Sequence, residues 1–249
     1  HGYYETTGYY PLTIWDAEGR LACVLLRPGS VHDSDQAFDL LERLITRIRR
    51  RFPWIRLLVR GDAMFSMPEI MDGLETLSSA QSPIDFVFGI KSNDVLIRQT
   101  KALRDKMRGW TSLAWRMPRR YLALQYKAKS WSHARRVIAR LETQPDGSVE
   151  TRYVVTSSQW PSPAKTYKRY CRRGQAENYI KDYKLATQAG RMSCGRFEVN
   201  GFRALMHGFA YWLLYKTREK LAMQDKRIGM LTLRSLRVRI LKVACVIKQ

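Results

Sequence analysis

Ile55-Arg56-Leu57-Leu58-Val59-Arg60-Gly61-Asp62 is the stretch whose reading decides the fold class. Its centre, through Val59, is a short branched apolar run, the pattern of a strand covered on both faces in a parallel sheet. Arg60-Gly61-Asp62 follows at its carboxyl end. Open α/β sheets place ligand-contacting groups just beyond that end, which makes Asp62 a candidate site residue. A Gly-Asp turn with no further role reads the same way.

Upstream, Tyr9 to Ile14 and Leu21 to Leu26 read as strands joined by the turn Asp16-Ala17-Glu18-Gly19, and Arg27-Pro28-Gly29-Ser30 breaks the second. A helix is expected from an N-cap at Asp33, with Gln36 three residues on. Ala37, Phe38, Leu41, Leu44, Ile45 and Ile48 hold helical spacing before the basic run Arg49-Arg50-Arg51. Downstream, Ser66-Met67-Pro68-Glu69 has the form of a capping box with an early proline, opening a helix to about Leu77. Phe86 to Ile90 is the next buried strand. The order strand, strand, helix, strand, helix, strand is the skeleton of an α/β domain with a mixed sheet.

From Lys91 to Trp160 the pattern turns to alternation, in Arg120 to Ala128, Arg135 to Leu141 and Arg152 to Thr156, with Pro145-Asp146-Gly147 as a tight turn. This reads as a β-rich, basic module. Asn200 to Leu221 then reads as an amphipathic helix with Phe202, Leu205, Phe209 and Leu213 inward, and Thr232 to Ile247 as a last helix carrying Arg234, Arg237 and Arg239.

Lys and Arg total 44 against 22 Asp and Glu, a formal net charge of +22, which opposes compaction and fits a polyanionic partner. The cations are scattered through folded-looking segments, so they form a surface and not a tail. Cys23, Cys171, Cys194 and Cys245 make no C-x-x-C pair, and the four histidines are dispersed, so neither a zinc site nor a disulfide framework is indicated. Reduced thiols in the cytoplasm are the default, and no apolar run reaches membrane-spanning length. The chain opens at His1, without an initiator Met, directly in a strand-like pattern, and reads as a fragment.

Tyr170-Cys171-Arg172-Arg173-Gly174-Gln175-Ala176-Glu177-Asn178-Tyr179-Ile180-Lys181-Asp182-Tyr183-Lys184 is the second decisive stretch. On a helical wheel Tyr170, Arg173, Glu177 and Lys184 share a stripe roughly 60° wide, while Ala176, Tyr179, Ile180 and Tyr183 form a separate apolar face. A carboxylate set among cations suits a metal and a phosphate, though a solvated face with an ion pair fits the same spacing. Gly174 costs about 1 kcal/mol in a helix interior; either something approaches closely there or the helix starts only after it. Asp62 and Glu177, one on a strand end and one on a helix, are the usual support for hard Mg²⁺ ions. A pair of such ions serves phosphodiester transfer and needs at least one further carboxylate.

Tyr170-x2-Arg173-x3-Glu177-x6-Lys184 resembles the Y-R-E-K signature of bacterial insertion-sequence DDE transposases. Arg60-Gly61-Asp62 with Phe65 resembles the block around the second catalytic Asp of the DDE group 1 transposases. Gly2-Tyr3-Tyr4, Leu25-Leu26-Arg27-Pro28-Gly29, Trp131 with Arg135-Arg136-Val137-Ile138, and Arg191-Met192-Ser193-Cys194 resemble further blocks of that family.

The resemblance implies an RNase H-like mixed-sheet core with a β-rich insertion and C-terminal helices. Residues 1–90 and 161–249 would form the core, and 91–160 the insertion. It implies strand cleavage and transfer at transposon ends with Mg²⁺ (or Mn²⁺), two ions in all, acting on double-stranded DNA of transposon ends and target. Asp62 would be the second acid and Glu177 the third, both holding metal; the first would lie on a strand upstream of Gly2-Tyr3-Tyr4. Without it the fragment is expected to be inactive alone. Tyr170, Arg173 and Lys184, with Arg60, would contact DNA phosphates. Trp131 is a candidate base-stacking residue, or a buried tryptophan of a small sheet. A homodimer in a synaptic complex and a nucleoid-associated place in the cytoplasm complete the expectation. A catalytically inactive DNA-binding remnant and a metal-dependent nuclease of the same fold are the alternatives.

Overall fold

The computed structural model describes residues 8–31, 36–108 and 118–241. In chain order the elements are β1 (Leu12–Trp15), β2 (Leu21–Leu25), α1 (Ala37–Arg51), β3 (Leu57–Gly61), a 3₁₀ turn (Ala63–Phe65), α2 (Pro68–Leu77), β4 (Ile84–Ile90), α3 (Asp94–Met107), β5 (Arg119–Tyr126), β6 (Arg135–Thr143), β7 (Val149–Thr156), α4 (Pro163–Cys171), α5 (Gly174–Thr187), α6 (Phe197–Ala222), α7 (Lys226–Gly229) and α8 (Leu233–Leu241). They divide into two compact units, Asp33–Arg173 and His1–His32 with Gly174–Gln249. No helix among the described residues is long and apolar enough to cross a membrane.

The Asp33–Arg173 unit is built on a five-stranded sheet of order β3-β4-β7-β6-β5. β3 and β4 run parallel and the remaining neighbours antiparallel, which is the mixed α/β sheet expected. The strands of 91–160 therefore continue the same sheet as β3 and β4. Alternation along the strands sends Val87, Ile138 and Val154 to one face, where Tyr167 of α4 closes a cluster. Phe86 and Phe88 point to the other face, stacked at 5.0 Å between ring centroids. α2 packs on β4, and α1 lies against α2 because Gly73 is bare: a Cβ there would come within 2.2 Å of the Phe38 ring.

Three local features depart from expectation. Ser66 does not cap α2; its hydroxyl donates to the Ala63 carbonyl and Met67 holds the N-cap position, with Pro68 in the first turn. Residues 91–160 also contain the helix α3, capped by Asn93, whose side chain accepts from the Val95 and Leu96 N–H groups. Finally, β3 is an edge strand, and its residues are only half-buried. Its outer edge pairs with no described strand, although Leu57-Leu58-Val59 has the composition of a strand covered on both sides. The expected helix start at Asp33 lies outside the described residues.

In the other unit β1 and β2 form an antiparallel hairpin against which α6 packs, with α5 and α8 alongside. The core is aromatic. Trp15 meets Tyr211 edge-on at 5.2 Å and Tyr183 at 5.9 Å. The phenols are spent on the hairpin turn: Tyr211 Oη donates to the Gly19 carbonyl at 2.6 Å and Tyr215 Oη to that of Glu18 at 3.3 Å. Trp212 Nε1 donates to the Leu21 carbonyl at 2.9 Å. Asp182 of α5 accepts from the Leu233 and Arg234 N–H groups and so caps α8. Beyond Leu241 the expected last helix lies outside the described residues.

The orientation expected for α6 is wrong. Phe202, Leu205, Phe209 and Leu213 face outward, Phe209 being 69% and Leu213 72% exposed. The inner face is Ala204, Gly208, Tyr211 and Tyr215. Both faces are apolar, so periodicity alone does not choose between them. The hairpin chooses. Gly208 admits Val24 and Leu21 to within 3.4 and 3.7 Å of where its Cβ would stand. The tyrosines bring hydroxyls to carbonyls that leucines could not satisfy.

Candidate functional site

Asp62 closes β3 as anticipated. Its Oδ1 accepts from the Met64 N–H at 2.9 Å, so the acid caps the 3₁₀ turn that follows. That turn folds Phe65 back over Gly61, where a Cβ would lie 3.0 Å from the Phe65 side chain and 3.1 Å from that of Phe88. The spacing Arg60-Gly61-Asp62-x-x-Phe65 thus has a local physical cause: a bare strand end, an acid that caps and an aromatic that locks the turn. Asp62 is half-buried, and its Oδ2 accepts no hydrogen bond from a described residue.

Tyr170 and Arg173 stand at the same end of the sheet. Tyr170, in the last turn of α4, meets Tyr167 edge-on at 5.7 Å. Arg173 Nε donates to Tyr170 Oη at 3.2 Å, and its guanidinium lies 5.5 Å from the centre of the tyrosine ring. The phenol hydroxyl reaches the floor of the sheet at Gly89. A Cβ built there would be 2.7 Å from Tyr170 Oη, 3.1 Å from Ala63 N and 3.5 Å from Asp62 C. The hydroxyl and the Asp62–Ala63 peptide therefore flank one point on β4. Arg60 Nη1 donates to the Arg169 carbonyl at 3.4 Å, tying β3 to the end of α4.

The continuous helix expected across Tyr170–Lys184 is broken. α4 ends at Cys171, the Arg173 N–H turns back to the Tyr170 carbonyl at 2.9 Å, and α5 begins at Gly174. Nothing lies within 4 Å of where a Cβ of Gly174 would stand. Of the four stripe residues, Tyr170 lies in α4, Arg173 in the turn after it, and Glu177 and Lys184 in α5. Within α5 these last two are both exposed and roughly 20° apart on the wheel. Glu177 sits in the first turn, where the positive end of the helix dipole favours a carboxylate.

Trp131 offers no stacking platform. It is 7% exposed, meets Tyr126 edge-on at 5.3 Å and lies 5.5 Å from the Arg135 guanidinium. The alternative reading, a buried tryptophan packed by the sheet, is the one observed.

One cluster of possible metal ligands went unread in the sequence. Donor atoms of Asp72, Glu75 and His133 lie within 4.8 Å of one another. Arg135, its side chain 1% exposed, already occupies the space between the acids: it pairs with Asp72 and donates to both Glu75 oxygens at 2.9 and 2.7 Å. The Ser132 hydroxyl, with Arg135 adding to it, holds the Asp72 carboxyl below its ordinary range against the opposing effect of burial. This is a pin between α2 and the β5–β6 loop, in which one guanidinium bridges the two carboxylates. The position that sequence reasoning missed at the candidate site is Gly89. Its signal was present, since glycine inside a buried strand marks a close approach of another group.

The family model described as transposase DDE domain, group 1, matches the chain over residues 1–249. No curated protein matches it significantly.

Proposed function

The chain belongs to the transposase DDE domain family, group 1, and on that premise we propose that it carries out divalent-metal-dependent DNA strand cleavage and strand transfer at insertion-sequence ends. The observation that carries the reading is the grouping of the Tyr170 phenol and the Arg173 guanidinium beside the Asp62 strand end, in a chain of net charge +22.

Asp62 and Glu177 are the acids assigned to the metal. Both offer hard anionic oxygens, the donor type that Mg²⁺ or Mn²⁺ takes, and the Asp62 carboxylate has one oxygen engaged by its own turn. When bound, two such ions supply Lewis-acid activation of the phosphoryl group and of the attacking hydroxyl. The role of the protein is positioning. Arg173 and Arg60 present cations to DNA phosphates, the Tyr170 hydroxyl donates a hydrogen bond to the same backbone, and Lys184 adds a charge on the face of α5 that carries Glu177. The first acid, on a further strand, completes the set, and the edge of β3 that pairs with no described strand has the pairing groups to receive it. In this reading residues 1–90 and 161–249 make the catalytic core, and 91–160 an insertion that widens its sheet. The substrate is double-stranded DNA, engaged by two copies on paired ends in the nucleoid.

The test is Glu177→Gln in a chain that cleaves end-bearing DNA. Transfer is expected to fall by about 10²- to 10³-fold, as for loss of a group central to transition-state charge, while the Kd for end DNA changes by less than about threefold. Retained transfer removes Glu177 from its role. A product covalently joined to target DNA separates strand transfer from simple nuclease action.

A further inference from the structure

We infer that Gly89 is a positioning residue of this site: its missing side chain seats the Tyr170 hydroxyl against the Asp62–Ala63 peptide. The inference rests on the assignment of Asp62 and Tyr170 made above.

Gly89 lies in β4, paired with Val154 of β7 and buried. It follows Val87 by two residues, so strand alternation turns the Cβ direction of both to the face that α4 covers. Val87 fills that face with a side chain that packs in the Tyr167 and Tyr170 cluster. Gly89 leaves a gap, and Tyr170 Oη occupies it, 2.7 Å from the place a Cβ would take. The other wall of the gap is backbone, with Ala63 N at 3.1 Å and Asp62 C at 3.5 Å. A methyl group cannot be absorbed on the backbone side without moving the turn that Asp62 caps, so the tyrosine yields.

Its withdrawal reaches Arg173 directly, because Arg173 Nε donates to that hydroxyl. One absent methyl group thus sets the distance between the acid and both phosphate-binding side chains. No positive φ demands glycine here; the only positive-φ glycines are Gly19 and Gly147 among the described residues. Steric clearance is what requires it.

The test compares Gly89→Ala, Tyr170→Phe and the double variant. Each is assayed for metal-dependent cleavage of end DNA at saturating DNA, for Kd on the same DNA, and by NMR of tyrosines labelled with ¹³C at Cζ. Gly89→Ala is expected to lower the cleavage rate about 10- to 100-fold, the cost of a displacement near 1 Å at a reacting centre, with Kd changed less than about threefold. Its Tyr170 resonance is expected to shift. Tyr170→Phe removes the atom in conflict, so adding Gly89→Ala to it is expected to cost less than about twofold, a clear failure of additivity.

Multiplicative losses overturn the inference, as does an unmoved Tyr170 resonance. If Gly89→Ala fails to fold, folding of the double variant supports the conflict with the hydroxyl, and failure of both overturns it. The resonance reports on seating whether or not the chain cleaves DNA. A shifted resonance in a chain whose cleavage is unaffected by Asp62→Asn faults the functional assignment and leaves the seating intact.

Discussion

Tyr211 and Leu213 sit two residues apart on α6 and are expected to differ sharply in their contribution to stability. Tyr211 is 2% exposed, packs edge-on to Trp15 at 5.2 Å and to Tyr183 at 5.7 Å, and donates to the Gly19 carbonyl at 2.6 Å. Truncating a buried aromatic to alanine costs about 3–5 kcal/mol. The abandoned Gly19 carbonyl adds about 1 kcal/mol where water cannot replace the donor. Taking the lower end of that range, a figure of about 4 kcal/mol for Tyr211→Ala follows, and about 1 kcal/mol for Tyr211→Phe, which keeps the ring and removes the hydroxyl. Leu213, 72% exposed, has little to lose: Leu213→Ser is expected within about 0.5 kcal/mol of the parent. Urea unfolding followed by tryptophan fluorescence reads both, since Trp15 and Trp212 pack against this cluster. With a denaturant slope of about 2 kcal/mol per molar, Tyr211→Ala moves the midpoint by about 2 M and Leu213→Ser by no more than about 0.3 M. Equal shifts, or a larger one for Leu213→Ser, would falsify the assignment of the inner face of α6.

Arg135→Met leaves Asp72 and Glu75 without their counter-charge, and the unfolding free energy is expected to fall by about 2–3 kcal/mol, less than for a fully buried pair because both acids reach solvent. Mn²⁺ titrated into the variant is not expected to restore the loss; full recovery in a thermal melt would make Asp72, Glu75 and His133 a cation site after all. Burial pushes the phenols of Tyr183 and Tyr167 up to about 12. Because these folded values lie above the unfolded value of about 10, the stability they support is complete below pH 10 and is lost as pH rises from 10 to 12. Tyr183→Phe is accordingly expected to move alkaline unfolding to higher pH, as seen by circular dichroism; an unmoved midpoint refutes the sign.

Much of the architecture follows from local sequence. The two apolar strand runs, the apolar face of α1 and the Asp146-Gly147 turn each depend on neighbours within a few residues, and the described elements fall close to those runs. Asp62 was legible for the same reason, since a strand end, a bare glycine and a capping acid are contiguous. What failed was non-local. α3 is held by partners far along the chain, such as the Thr100 hydroxyl at 2.9 Å from that of Tyr153, and its own period was overshadowed by the alternating strands after it. Trp131 reads equally well as a stacking face or a core ring until Tyr126 and Arg135 are in place.

The Tyr170–Lys184 stretch marks the division most clearly. Residue identities and spacings by themselves determined that a phenol, a guanidinium, a carboxylate and an ammonium recur at intervals suited to metal and phosphate, and that the net charge of +22 suits a polyanion. They could not determine that the helix stops at Cys171 and restarts at Gly174, because a helical wheel assumes the continuity it is used to test. Tertiary structure alone decided that Tyr170 reaches across to β4, that an absent side chain at Gly89 makes room for it, and that α6 turns its tyrosines inward. The physical reason is common to all three. Hydrogen-bonding geometry within an element is short-ranged and written in adjacent residues, whereas packing depends on which distant surface arrives and how much space it leaves.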